Sequence, residues 1–168
     1  IFSAGINLYY MDYKDQLVTT GQLSDTGNPL SVNVPSSYRM GIELQGSLRP
    51  VDWFDWQINA TLSRNRIKGF REYIYEWEDP STTPMIIDCG DTPIAFSPDF
   101  ILHNSLNFRY RGFEASVDSR YISSQYMNNA RTASARLDAY FVTARRLAYE
   151  FLNISSVKSL RVGFAIYN

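Results

Sequence analysis

Carboxylates crowd into one stretch of the chain, Glu72, Glu76, Glu78, Asp79, Asp88 and Asp91. Paired acids at the right separation hydrolyse glycosidic bonds, and a dense set of carboxylate oxygens can hold calcium. No EF-hand-like spacing accompanies these residues, and in a connecting segment such charges ordinarily serve as solvated surface. His103 is the single histidine, so an imidazole metal cluster lacks a second member and a Ser-His-Asp arrangement would rest on one base. Cys89 is the single cysteine. It leaves no CxxC pair, internal disulfide or cysteine zinc site, and reads as a free thiol or as the partner of a cysteine outside this segment. No catalytic residue, metal site or cofactor is expected, and the chain reads as a protein that is not an enzyme. The chemistry on offer is recognition. Arg71, Tyr73, Tyr75 and Trp77 alternate with polar residues, as if two strands continue into a hairpin, and offer either an aromatic, cationic surface for a ligand or simple hairpin packing. Tyr126, Arg131 and Arg136 in a later connection carry the same two readings.

The elements that position these residues follow from composition and period. Apolar residues make up 45% of the chain and aromatic ones 15%, with 12 Tyr and 10 Phe, a weighting toward strand formers that tolerate a polar boundary. The net charge of −1 gives no electrostatic footprint for nucleic acid. No apolar run approaches the roughly 20 residues of a membrane-spanning helix. The chain opens at Ile1 without an initiator Met and without a signal-like stretch, and is expected to be a piece of something longer.

Period-two alternation recurs in about seven segments, each with one apolar and one polar face, which is the pattern of strands between two different solvents. Phe2, Ala4, Ile6, Leu8 and Tyr10 share a face. Tyr38, Met40, Ile42, Leu44 and Leu48 oppose Arg39, Glu43, Gln45 and Arg49, and Phe54, Trp56, Ile58, Ala60 and Leu62 oppose Asp55, Gln57, Asn59 and Thr61. Leu102, Leu106, Phe108 and Tyr110 stand against His103, Ser105, Asn107 and Arg109, with Ile101 and Asn104 as exceptions. Phe113, Ala115, Val117 and Tyr121 stand against Glu114, Ser116, Asp118 and Arg120. The sixth segment sets Phe141, Leu147, Tyr149 and Phe151, together with Arg145, opposite Arg146 and Glu150, and the seventh carries Leu160, Val162, Phe164 and Ile166.

Long connections (Asp25 to Pro35, Lys68 to Pro98, Ser123 to Arg136) alternate with short ones (Pro50 to Asp52, Arg111-Gly112, Asn153 to Ser159). In an up-and-down meander this puts all long loops at one end, the asymmetry of outer-membrane barrels. Aromatic residues gather at both strand ends, as two bilayer interfaces require, and the apolar stretches have the roughly 9–11 residues that a tilted strand needs to cross. The expected fold is an all-β, antiparallel up-and-down transmembrane barrel. A soluble lipocalin-like barrel that binds a small ligand inside an apolar calyx also alternates, and stays open as the alternative.

Five phrases carry a resemblance: LYYMDYKDQLV from Leu8 to Val18, SYRMGIEL from Ser37 to Leu44, FSPDF from Phe96 to Phe100, YISSQY from Tyr121 to Tyr126 and LDAYFV from Leu137 to Val142. In this order they resemble the C-terminal part of the barrel in TonB-dependent outer-membrane receptors of the siderophore or iron-chelate type. The resemblance implies a barrel of about 22 strands around a plug, of which residues 1–168 supply about seven strands, with the plug domain and last strand absent. It also implies a Gram-negative outer membrane, outer-membrane lipid around the wall, and a TonB complex that pulls on the plug of the same receptor. A ferric siderophore is the first expected ligand, with cobalamin or a glycan fragment next. Arg39, Glu43, Asn59, His103, Asp118, Arg120 and Arg146 would then face the lumen and plug, or pair with one another along the wall. Arg145 stands where that family usually has an apolar residue, and is expected to reach a headgroup region or to turn inward through a local bulge.

Overall fold

The computed structural model describes residues 1–24, 26–74, 85–154 and 157–168. In chain order the elements are β1 (Phe2–Leu23), β2 (Pro29–Val51), β3 (Phe54–Ile74), β4 (Met85–Pro93), β5 (Phe100–Tyr110), β6 (Phe113–Ile122), β7 (Gln125–Tyr126), a 3-10 turn (Ala133–Ala135), β8 (Arg136–Leu137), β9 (Tyr140–Ile154) and β10 (Val157–Tyr167). The sheet order β1-β2-β3-β5-β6-β9-β10 is an antiparallel meander, with β4 added beside the far end of β3. β7 and β8 form a separate two-stranded ladder.

Register places the alternating residues of neighbouring strands in common rows. Ile6 pairs with Leu44, Leu44 with Ala60, and Ala60 with Leu102; Leu106 pairs with Val117. One face is therefore a continuous apolar band. It is not folded over a core: Ile6 is 73% exposed and Phe164 63%. Aromatic contacts edge this band at both ends. Phe54 and Phe108 lie 4.8 Å apart and Tyr149 and Phe151 4.6 Å apart at the short-turn end, while Phe100 and Tyr121 (5.9 Å) and Tyr10 and Tyr38 (6.2 Å) mark the other. The turn at Arg111-Gly112 has φ of 48° and 82°, the positive values that a tight hairpin turn matching the strand twist requires.

The alternation of long and short connections needs revision at its long end. Residues 25–35 are not a long loop. β1 and β2 remain paired up to Leu23 opposite Pro29, and the chain reverses over residues 24–28, where Gly27 N–H donates to Ser24 O (2.8 Å) and Asn28 N–H to Ser24 Oγ (3.1 Å). The Asn, Pro and Ser content of that stretch suggests a loop, but its Val32 and Val34 are strand residues, and Pro35, which has no N–H to give the ladder, sits opposite the irregular Asp15 (φ 51°). Residues 68–98 likewise hold the end of β3 and all of β4, and residues 123–136 hold β7 and the 3-10 turn. With 22, 23 and 21 residues, β1, β2 and β3 run far past the roughly 10 needed for crossing. The short turn after β2 falls at Asp52-Trp53, and β9 runs to Ile154 before β10 resumes at Val157.

The overhanging strands form the one packed core among the described residues: Val18, Val34, Ile67, Phe70 and Ile94, with Val32, Cys89 and Ala130 against it. Ile67 and Phe70 would face opposite ways in a regular strand. The irregularity between them, at Gly69 with φ 59°, brings both into the core, as a bulge re-aims the chain that follows it.

Arg145 makes no inward turn. β9 pairs without a break from Tyr140 to Tyr149, setting Arg145 beside Val117 and Ile166 on the apolar face. A bulge would have shown as a shifted register, and none occurs there. Asn104, also on the apolar face, has its side-chain oxygen taken by Trp56 Nε1–H at 2.7 Å, which reduces the cost of a polar group in an apolar band.

Candidate functional site

Opposite the apolar band lies a polar face, and the register puts Arg39, Glu43, Asn59, His103, Asp118, Arg120 and Arg146 on it. Gln45, Asn59, His103 and Arg120 form one row across four strands. Some of these residues pair along the wall. Arg146 Nη1 lies 2.9 Å from Asp118 Oδ2, Asn7 Nδ2–H donates to Glu43 Oε2 at 3.0 Å, and Arg161 reaches Glu114. Arg39 Nη1–H donates to Ser97 Oγ (3.2 Å), tying the wall to the segment before β5. Arg120 and Arg109 have no ion-pair partner among the described residues. Arg120 and His103 line a cavity of about 240 Å³ with Asp118 and Tyr167, and Arg109 lines one of about 210 Å³ with Arg49, Asp55 and Gln57. The face thus offers both satisfied pairs and free guanidinium groups, which suits reversible polar contacts more than a dry interface.

The connection that carries Tyr126, Arg131 and Arg136 is held by a residue that pattern reading passed over. Asn129 is fully buried. Its Nδ2–H donates to Thr19 O of β1, and its Oδ1 accepts from Ala95 N–H at 2.7 Å, so one side-chain amide ties its own connection to β1 and to the segment after β4 through its donor and its acceptor. Phe96 N–H adds a bond to Tyr126 O at 2.8 Å. Tyr126 stands opposite Arg136 in the small β7-β8 ladder. Arg136 Nε lies 3.8 Å from Asp138, and Arg131 is exposed at φ 58°. No local signal announces Asn129, since its partners are 110 and 34 residues away.

Arg71 and Tyr73 lie on the overhang of β3 in a different hairpin. Arg71 Nε is 3.9 Å from Asp88 Oδ2, both well exposed, and Tyr73 is 42% exposed. Tyr75 and Trp77, with Glu76, Glu78 and Asp79, lie outside the described residues. Cys89 is a free thiol beside this core; burial first, then the negative charges of Glu72 and Asp88, push its pKa above the ordinary thiol value. Among the described residues no cluster of His, Cys, Asp or Glu could hold a metal ion.

An antiparallel meander with an exposed apolar band edged by aromatic residues, a charged opposite face and packed overhangs at one end defines a segment of transmembrane β-barrel wall. The comparisons agree: residues 1–168 match the family described as TonB dependent receptor-like, beta-barrel, and the chain belongs to that family. Among solved structures its fold is shared with the FrpB iron transporter from Neisseria meningitidis (F3-3 variant), at 14% identity and a TM-score of 0.57, over 99% of this chain and 24% of that one. The chain thus spans about a quarter of that transporter's length. No curated protein sequence matches it. With the family established, the apolar band is the wall's lipid-facing side and the polar face its lumen side, and the soluble lipocalin-like alternative falls away.

Proposed function

We propose that this chain is part of the barrel wall of a TonB-dependent outer-membrane receptor that imports a scarce ligand, first of all a ferric siderophore, and that it performs no covalent chemistry. The observation that carries this reading is the lumen face, where free Arg109 and Arg120 stand beside satisfied pairs such as Arg146 and Asp118. Such a wall can exchange hydrogen bonds and ion pairs with a plug as it moves. The coverage of a quarter of a solved iron transporter supports placing the remaining strands and the plug elsewhere in the same receptor. Ligand capture falls to Arg71 and Tyr73 on the overhang of β3, to Tyr75 and Trp77 that follow them in sequence, and to Tyr126, Arg131 and Arg136 on the connection held by Asn129.

The test is uptake of iron-55 carried by hydroxamate and catecholate siderophores into iron-starved Gram-negative cells whose only receptor is the full-length protein. TonB-dependent uptake of at least one chelate is expected. Uptake of cobalamin or of an oligosaccharide instead would replace the ligand, and transport indifferent to loss of TonB would remove the coupling. Alanine at Arg71, Tyr73, Tyr75 and Trp77 together should lower uptake while surface levels hold; unchanged affinity and uptake would return these residues to hairpin packing.

A further inference from the structure

The ladder between β2 and β3 stops at Ser37 opposite Ile67, although both strands run on for several residues beyond that pair. Pro35 has no N–H with which to continue it, and the bulge at Gly69, with φ 59°, bends β3. Among the described residues, β2 beyond this point pairs with β1 alone, Val34 standing opposite Gln16 and Val32 opposite Val18. β3 beyond it pairs with β4 alone, from Phe70 to Ile74. The sheet therefore forks, and each arm turns toward the other a strand edge whose backbone N–H and C=O groups have no strand partner. A cavity of about 370 Å³ occupies the fork. Val34 and Phe70, both buried, line it together with Val32, Asn33, Arg71 and Tyr73. Strand edges in water are commonly blunted by proline, bulges and lysine. Here Pro35 and Gly69 lie at the base of the fork and leave the edges above them open.

We infer that the fork is a docking site for an extended peptide segment of about six residues, an ordinary strand length, which adds a strand between the two arms. The inference rests on the reading above that sets the overhangs in water at the ligand-facing end of the wall. The occupant follows from the edges. Because β2 and β3 are antiparallel, one inserted strand runs antiparallel to the first and parallel to the second, and its alternate N–H and C=O groups reach both. A compact chelate or a small apolar molecule could fill the cavity but offers no row of donors and acceptors at strand spacing. The side chains add a preference. Val32, Val34 and Phe70 ask for apolar residues on one side of the inserted strand. Arg71 is exposed and its Nε stays 3.9 Å from Asp88 Oδ2, longer than a hydrogen bond, so its guanidinium has donors left for a carboxylate of the peptide.

The full-length receptor in mild detergent would be offered fluorescent, end-blocked hexapeptides of alternating valine and threonine, one with glutamate and one with lysine at a central threonine position, and binding read by anisotropy. The glutamate peptide should bind about tenfold more tightly than the lysine peptide, as one charge-assisted contact implies. Methylating alternate backbone nitrogens of the glutamate peptide leaves its side chains intact and should weaken binding at least about tenfold, because edge pairing needs those N–H groups. Arg71→Glu should reverse the charge preference, whereas Lys158→Glu, exposed at the start of β10 and at the other end of the wall, should leave it unchanged. No binding of either peptide to the unaltered receptor, equal binding of the methylated peptide, or a preference that survives Arg71→Glu overturns the inference. Heat-modifiable migration reports the folding of each variant. Siderophore uptake is measured separately in cells, so failure of the transport reading and failure of the peptide site are distinguishable.

Discussion

Arg145 is the residue most at odds with its surroundings. Its row with Val117 and Ile166 lies four residues from the Phe113–Tyr149 pair and four from the Tyr121–Phe141 pair, about 10 Å from each aromatic edge at strand rise and barrel tilt. An arginine at such depth on the lipid side costs about 2–4 kcal/mol, and among the described residues nothing pairs with it. Arg145→Leu should therefore raise the unfolding free energy of the full receptor, measured by denaturant titration in lipid, by up to that amount; a loss of stability would mean that Arg145 has an anionic partner elsewhere in the receptor. Cys89 supplies a second residue-scale prediction. Because burial and the charges of Glu72 and Asp88 oppose the thiolate, alkylation by a neutral maleimide should reach half its maximal rate at a higher pH than for an ordinary thiol. Glu72→Gln should move that midpoint down, and a midpoint at or below the ordinary value would contradict the assignment. At this scale the sequence shows residue types well and partnerships poorly: Arg145 is visibly out of place in an apolar face, whereas Asn129 looks like any loop asparagine until the fold brings Thr19 and Ala95 to its amide.

At the scale of elements, alternation locates the membrane-length strands, because two solvents enforce it residue by residue from Phe2 to Tyr10 or from Phe54 to Leu62. It fails beyond the aromatic edge, where both faces of the overhang are polar or packed and turn-forming residues sit inside the ladder, as Pro35 does opposite Asp15. Bulges defeat it too, since Gly69 inverts the facing of Phe70 without any change in local composition. Gly41 shows a different constraint. A Cβ there would come within 2.6 Å of Leu62 O and of the Tyr9 hydroxyl, so the β2-β3 pair and the Tyr9 ring close over a position that admits no side chain. Gly41→Val should cost about 1–3 kcal/mol through forced displacement, seen as a smaller heat-modifiable fraction at the cell surface. Assembly as efficient as that of the unaltered receptor would show that the ring and strand move aside freely.

The molecule as a whole is an open arc of wall. Among the described residues β1 and β10 end the sheet order with one edge each unpaired, and backbone groups without partners are not tolerated in hydrocarbon, so such a wall requires further strands at both edges. The two faces of the wall meet different media, and adjacent residues of β3 report this most directly. Ile58 and Ala60 stand in rows with Gly46 and Leu44 on the apolar side, and Asn59 and Thr61 in rows with Gln45 and Glu43 on the polar side. Ala60→Arg in the full receptor should impair assembly, at a cost of about 2–4 kcal/mol near the midplane, while Thr61→Arg should assemble and at most alter transport. The decisive measurement is the accessibility of single cysteines at positions 58, 59, 60 and 61, in membranes, to a water-soluble maleimide and to a lipid-confined spin-label quencher. Water access is expected at 59 and 61 and lipid contact at 58 and 60; the reverse alternation would mean that the wall is turned inside out.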